Sequence, residues 1–166
     1  MRVLALFYLV LFSSSLSANT LVLPESSRGE LRQLITSSWQ LCGESLWCED
    51  ELKYYRDSFI AQASLVQGVL RVELINEYSA ERLAQIQLYL RQDRFVLTRA
   101  EIEGQVFDVA KAIEQTSIEQ ADRALILFLN QFPQDTNRTL HWQAKDWHAE
   151  LVSDGELITL MLNQYY

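Results

Sequence analysis

The first seventeen residues constrain the fold most, because they are expected to leave the chain before it folds. Arg2 supplies a positive charge, an apolar run follows from Val3 to Phe12, and small residues occupy Ser13 to Ser17. This order is typical of a secretory signal peptide. The apolar run is too short to span a bilayer. We therefore expect residues 1–17 to be removed and residues 18–166 to form a single exported domain.

The charge of the exported part argues against one large class of partner. Without Arg2, 13 basic residues stand against 22 acidic ones, which gives a formal charge of about −9. Binding to a phosphate backbone requires clusters of Lys and Arg, and the sequence has none. We therefore expect no nucleic-acid partner and no binding to anionic membrane surfaces. With an apolar run too short to span a bilayer, we also expect no insertion into a membrane.

The two cysteines of the chain, Cys42 and Cys48, both lie in the exported part. In an oxidising compartment two such residues most simply pair, so we predict one disulfide. The short loop that it closes contributes about 2 kcal/mol to stability in the loop-closure model. We expect this disulfide to staple the turn between two helices.

Hydrophobic periodicity in the N-terminal half predicts two helices followed by strands. Apolar residues recur at helical spacing from Leu31 to Trp39, behind a capping box formed by Ser27 and Glu30. A second helical stripe runs from 52 to 63, behind three acidic residues. Three later segments alternate apolar and polar residues, as the strands of a meander do; they are 69–74, 84–91 and 95–102.

Helical spacing returns in the C-terminal half. It predicts helices over 107–113 and over 118–132, the second of them behind another capping box. Segments 140–152 and 156–163 are predicted to be two strands joined at Asp154-Gly155, a strong hairpin signal. The predicted fold class is therefore α+β, with two N-terminal helices, a three-stranded antiparallel meander, two helices and a C-terminal β-hairpin.

The usual catalytic fingerprints, such as a P-loop, a G-x-S-x-G elbow or an H-E-x-x-H helix, do not occur. Asp146, His148 and Glu150 share one face of a predicted strand, where side chains two apart can converge on a metal ion. His141 has the opposite parity and is expected to point away. Such sets are common on solvated strands, so we predict no catalytic residue, no metal site and no cofactor. The alternative is a small exported hydrolase or metal enzyme that uses these three residues.

The segment from residue 54 to 116 carries a series of family-like motifs. In chain order they are Tyr55 and Phe59, the strand Val72–Leu74 running into Tyr78-Ser79-Ala80, the alternation Ile86, Leu88 and Leu90, the turn Gln92-Asp93, Val96 and Thr98, and Val109–Thr116. In this order they resemble the conserved part of the curli assembly and transport component (CsgE) family. Tyr78 stands where that family prefers proline, and Leu83 where a glycine is usual.

The resemblance implies a periplasmic, chaperone-like accessory factor without catalytic chemistry. Such a factor delivers secreted amyloid-type subunits to an outer-membrane secretion channel and delays their polymerisation, as a homo-oligomer. We expect the strands within 69–102 to form the interaction surface, with an exposed sheet edge that holds the client by strand addition. The side chains expected to contact a partner are Tyr78, Tyr89, Phe95, Tyr165 and Tyr166. Export and composition are equally compatible with another protein-binding module, such as an inhibitor or immunity protein.

Overall fold

The computed structural model describes residues 20–23 and 28–164, so the predicted signal peptide and Ser27 lie outside the described residues. The strands in the described part are β1 (Thr20–Leu21), β2 (Gln40–Gly43), β3 (Leu46–Tyr54), β4 (Asp57–Val66), β5 (Val69–Glu77), β6 (Val96–Ile102), β7 (Gln105–Asp108), β8 (Arg138–Ala144), β9 (Trp147–Ser153) and β10 (Leu157–Gln164). The helices are α1 (Arg28–Ser38), α2 (Ala80–Gln92), α3 (Val109–Gln115) and α4 (Ile118–Asn130). None of these helices combines the length and the apolar character that crossing a membrane requires.

The described strands form one mixed sheet. Along it the order is β1-β3-β4-β5-β10-β9-β8-β6-β7, and β2 pairs with the first part of β3. Neighbouring strands are antiparallel, except that β1 runs parallel to β3. The last strand, β10, lies between β5 and β9 and therefore joins the early strands to the late ones.

One face of this sheet carries the hydrophobic core. In β9, Trp147, Ala149 and Leu151 are buried, whereas His148 and Glu150 between them are half-buried. The same alternation runs through β4, β5, β8 and β10. Apolar side chains of α1, α2 and α4 belong to the same core cluster. The described helices therefore cover one face, and the opposite face has no helix over it within the described part.

The predicted second helix is wrong. Residues 49–63 form the end of β3 and most of β4, which are joined by a turn at Tyr55-Arg56. Phe59 and Ala61 are buried on alternate positions, as a strand requires. The turn contains no Gly, Pro, Asn or Asp, and Tyr55 itself adopts a positive φ of 55°. Without these usual turn residues, the apolar pattern continues across the bend and reads as a helical stripe.

The predicted strand at 84–91 is also wrong, because this segment is α2. The side chain of Ser79 caps the helix by accepting a hydrogen bond from the Arg82 N–H at 3.0 Å. The buried residues Leu83, Ile86 and Leu90 recur at helical spacing. The predicted meander is therefore absent, since β5 and β6 are separated by α2 and pair with other strands.

The remaining corrections lie in the C-terminal half. Phe107 belongs to β7, and α3 begins two residues later at Val109. The predicted strand 140–152 is two strands, because the chain reverses at Lys145-Asp146 between β8 and β9. The C-terminal unit is therefore a three-stranded antiparallel meander of β8, β9 and β10 rather than a hairpin.

Other sequence predictions are confirmed. Helices α1 and α4 lie where the periodicity predicted them. The hairpin turn at Asp154-Gly155 joins β9 to β10. Oδ1 of Asp154 accepts hydrogen bonds from the N–H groups of Leu157 and Glu156 at 2.8 and 2.9 Å, and they lower the pKa of this carboxyl. Gly155 has a φ of +89°, and a Cβ there would lie 2.6 Å from a backbone oxygen, so only glycine fits.

The disulfide between Cys42 and Cys48 is confirmed, with a Cα–Cα distance of 5.8 Å. It joins β2 to β3 rather than two helices, because the residues around both cysteines form strands. The strand register shifts between Leu41 and Gly43, so Cys42 lies at a bulge.

A cluster of tyrosines ties the C-terminal end of α2 to the turn between β3 and β4. Asp93 is buried and accepts hydrogen bonds from the hydroxyls of Tyr54 at 2.7 Å and Tyr55 at 2.5 Å. Tyr55 stacks on Tyr89, with ring centroids 4.5 Å apart. Burial, followed by the hydrogen bond to Asp93, raises the pKa of Tyr55 to about 12. The pKa of Tyr54 is raised further, chiefly by burial.

The central position of β10 leads to a test of stability. Leu160 is fully buried in the middle of this strand. We expect Leu160→Ala to lower the free energy of unfolding by about 2–5 kcal/mol, because it removes buried methyl groups and leaves a cavity. The control is Thr159→Ala, on the uncovered face of the same strand, which should change stability by less than about 1 kcal/mol. Equal losses in denaturant unfolding would contradict the central role of β10.

The tyrosine cluster leads to a prediction about alkaline pH. The pKa of Tyr55 is about 12 in the folded protein, against 10.0 for an unperturbed tyrosine, so folding favours its neutral form. Its stabilising contribution is therefore complete below pH 10 and is lost as the pH rises from 10 towards 12. We expect Tyr55→Phe to make this fall in unfolding free energy shallower. Wild-type and variant curves of the same slope, measured by denaturant unfolding across this range, would show that Tyr55 does not contribute.

Candidate functional site

The uncovered face of the sheet presents side chains in aligned rows, which we call the open face. Three rows run across β4, β5, β10, β9, β8 and β6 in register. The first is Ile60, Ile75, Thr159, Val152, Thr139 and Glu101; the second is Gln62, Glu73, Met161, Glu150, His141 and Arg99; the third is Ser64, Arg71, Asn163, His148, Gln143 and Val96. At about 4.8 Å between strands and about 6.8 Å between rows, the open face measures roughly 24 Å by 14 Å.

The two histidines of the chain meet on the open face. His141 in β8 lies directly opposite Glu150 in β9, and His148 precedes Glu150 by two residues, so all three side chains share one side of the sheet. The odd–even alternation of the sequence predicted that His141 would lie on the opposite side of the sheet from His148 and Glu150. That prediction assumed one continuous strand, and it is wrong because the chain reverses at Lys145-Asp146.

The three side chains lie close enough to act together. Nδ1 of His141 is 3.5 Å and Nε2 of His148 is 3.7 Å from the same oxygen of Glu150, Oε1. The two imidazole rings have centroids 5.9 Å apart. Their side chains are 21%, 30% and 33% exposed in the order His141, His148 and Glu150, so the cluster is shielded by its neighbours but reachable from solvent.

The flanking strands place a cation and a thioether beside this cluster. Arg99 in β6 pairs in register with His141, and it forms an ion pair with Glu101 at 2.8 Å. On the other side, Met161 in β10 is in register with Glu150. Asp146, the third member of the set expected from the sequence, lies in the exposed turn between β8 and β9. The structure therefore brings together His141, His148 and Glu150, and leaves Asp146 out.

The residues expected to contact a partner have different positions. Tyr89 and Phe95 are 2% and 3% exposed, so their rings belong to the core. Tyr78 is half-buried against that core, and its N–H donates to the Glu156 carbonyl at 2.8 Å. Tyr165 and Tyr166 lie outside the described residues.

The segment expected to offer a sheet edge offers only a short one. In β6, residues 99–102 pair with β7, whereas residues 96–98 have no described strand on that side. β5 is paired on both sides, by β4 and by β10, and the next segment is the helix α2. The two edges of the described sheet are short strands. β7 forms one edge, and on the other edge β2 pairs with the first part of β3 and β1 with its last part. Short edge strands discourage the addition of further strands.

A groove of about 340 Å³ lies on the helical side, between α2 and the C-terminal end of α4. Arg138 lines it and is 7% exposed. Its Nε donates to the carbonyl of Thr136 at 3.2 Å, and its Nη2 donates to the carbonyl of Pro133. Burial lowers the pKa of this guanidinium. Because its donors hold the loop that follows α4, we assign Arg138 to the scaffold of the fold.

Comparison with known proteins adds no family to this geometry. The chain has no match among protein-family models and no significant match among curated proteins or solved structures.

Proposed function

We propose that this protein is an exported, non-catalytic factor that holds another polypeptide against the open face of its sheet. The observation that carries the proposal is the one-sided cover of the sheet. Six neighbouring strands present aligned side chains with no described helix over them, whereas the opposite face is packed with helices. Antiparallel sheets commonly leave one face in water. On this face the aliphatic side chains Ile60, Ile75 and Val152 share one row, and Ile60 is 54% exposed, so a client could cover apolar surface here.

The spacing of the open face matches that of an extended client. A polypeptide in β conformation directs every second side chain to the same side, about 6.8 Å apart. This equals the spacing of the rows along a strand. A client strand that lies along the sheet strands would therefore place one side chain on each row. An apolar side chain would contact the first row at Ile60, Ile75 or Val152, and polar side chains would contact the second and third rows. The contact is made through side chains and leaves the covalent structure of the client unchanged.

The client class comes from the sequence resemblance and stays a proposal. An amyloid-type subunit on its way to an outer-membrane channel is unfolded, and its strands pair readily with one another. Docking on a face, rather than at an edge, would hold such a chain without providing a template for further strands. The disulfide between β2 and β3 is compatible with the oxidising compartment in which such a carrier works.

The client test uses purified mature protein and a curlin-type amyloid subunit in equimolar amounts. We expect fibril growth, followed by a fibril-binding dye, to be delayed. The double variant Ile60→Lys/Val152→Lys should weaken binding of the subunit at least about tenfold, because it places two charges in the apolar row.

The matched control is Ile126→Lys/Leu127→Lys. These residues are 50% and 65% exposed on α4, on the other side of the sheet, and the variant adds the same charge. It should delay fibril growth as the wild type does. The proposal would be wrong if the wild type caused no delay, or if both double variants lost it equally while keeping a native circular dichroism spectrum.

A further inference from the structure

The chain contains only two histidines, and both point to the same place. They lie on neighbouring strands, beside the carboxylate of Glu150, and the nitrogen and oxygen atoms available as ligands lie within 4.8 Å of one another. We propose that His141, His148 and Glu150 form a binding site for a divalent transition metal ion, and that Zn²⁺ is the ion it takes. This inference does not depend on the proposed function, since it concerns the isolated protein.

The distances fit a shared ion better than they fit direct hydrogen bonds. Oε1 of Glu150 lies 3.5 and 3.7 Å from the two histidine nitrogens. Hydrogen bonds between such groups are about 2.7–3.2 Å long. Ligand atoms bound tetrahedrally to one Zn²⁺ at about 2.0–2.2 Å are separated from each other by about 3.4 Å. The three ligand atoms lie within 4.8 Å of one another, so side-chain rotations that bring the two histidine nitrogens closer would place all three around one ion.

The donor set indicates which ion is bound. Two imidazoles and one carboxylate form the ligand set of open zinc sites, in which a fourth position remains for water or another donor. Imidazole nitrogens favour Zn²⁺, Cu²⁺ and Ni²⁺ over Mg²⁺ and Ca²⁺, which prefer ligand sets made of oxygen atoms. The partial exposure of all three side chains leaves the fourth position accessible from the open face.

The backbone holds the ligands in place. β8 is paired with β6 and β9, and β9 is paired with β8 and β10, so both strands lie in the interior of the sheet. Sites built on paired strands keep their geometry better than sites on loops. Little backbone rearrangement is therefore needed when the ion binds.

The charges around the site act in both directions. Arg99 lies beside His141 and opposes a bound cation, but its charge is paired with Glu101 at 2.8 Å. Farther along the row, Glu73 lies two strands away from Glu150 and favours a cation. In the third row, the Nε of Arg71 donates a hydrogen bond to Oδ1 of Asn163 at 3.0 Å, so this guanidinium is held at Asn163. The net effect of these neighbours is close to balanced, and the three ligands determine the affinity.

Metal binding is measured by calorimetry with untagged mature protein and zinc chloride in a buffer that does not chelate. We expect saturation at one Zn²⁺ per chain. Because His141 and His148 are the only imidazoles of the chain, the nuclear magnetic resonance spectrum of the histidine rings reports on this site alone. Both ring systems should shift together during the titration and stop shifting at one equivalent.

Variants separate a three-ligand site from adventitious binding. His141→Ala, His148→Ala and Glu150→Gln should each weaken Zn²⁺ binding at least about tenfold. Asp146→Asn is the control, because this acidic residue lies in the nearby exposed turn and should leave the affinity within about twofold. Each variant is checked for a native circular dichroism spectrum.

Two results would overturn the inference. One is the absence of saturable binding and of ring shifts at an excess of zinc. The other is a folded His141→Ala variant that binds as tightly as the wild type. Loss of the fibril delay in the open-face double variant, with zinc binding retained, would concern the proposed function alone.

Discussion

The pairing of β10 with both β5 and β9 is the interaction on which the rest of this structure depends. Strands β1 to β5 form one half of the described sheet, and strands β6 to β9 form the other half. Among the described strands, only β10 connects the two halves. It is a long-range contact, since Leu160 in β10 lies opposite Leu74 in β5 and Leu151 in β9. All three leucines are fully buried. Their removal from water offsets the entropy lost when such distant segments are brought together.

The same arrangement explains why one face of the sheet stays open. α2 connects β5 to β6, and α3 with α4 connects β7 to β8. Both connections pass over the face that carries Leu74, Leu140 and Leu160, because this is where their own apolar stripes are buried. The other face keeps a mixed composition of aliphatic, charged and imidazole side chains. Each of the six strands that carry this face has a hydrogen-bonded neighbour on both sides, which fixes the backbone from which these side chains project.

Part of this fold was predictable because some segments carry unambiguous local signals. The Ser117 cap and the apolar stripe behind it mark α4, and Asp154-Gly155 marks the turn before β10. The predicted helix at 49–63 and the predicted strand at 84–91 were wrong because their local signals were ambiguous. Their apolar residues fit periods of both 2 and 3.6, and the turn at Tyr55-Arg56 lacks the residues that usually mark a turn. The choice between helix and strand was then made by tertiary packing rather than by local preference.

The candidate site was likewise predictable only in part from the sequence. The sequence by itself determined that a cysteine pair would close a short loop, and that His148 and Glu150 would share one side of a strand, since alternation is a local property of β structure. It did not determine that His141 would join them. That depended on the reversal at Lys145-Asp146 and on the register of β8 with β9. Register is set by the burial of Leu140, Trp142 and Leu151 in a core assembled from distant segments, and a local pattern carries no information about such contacts.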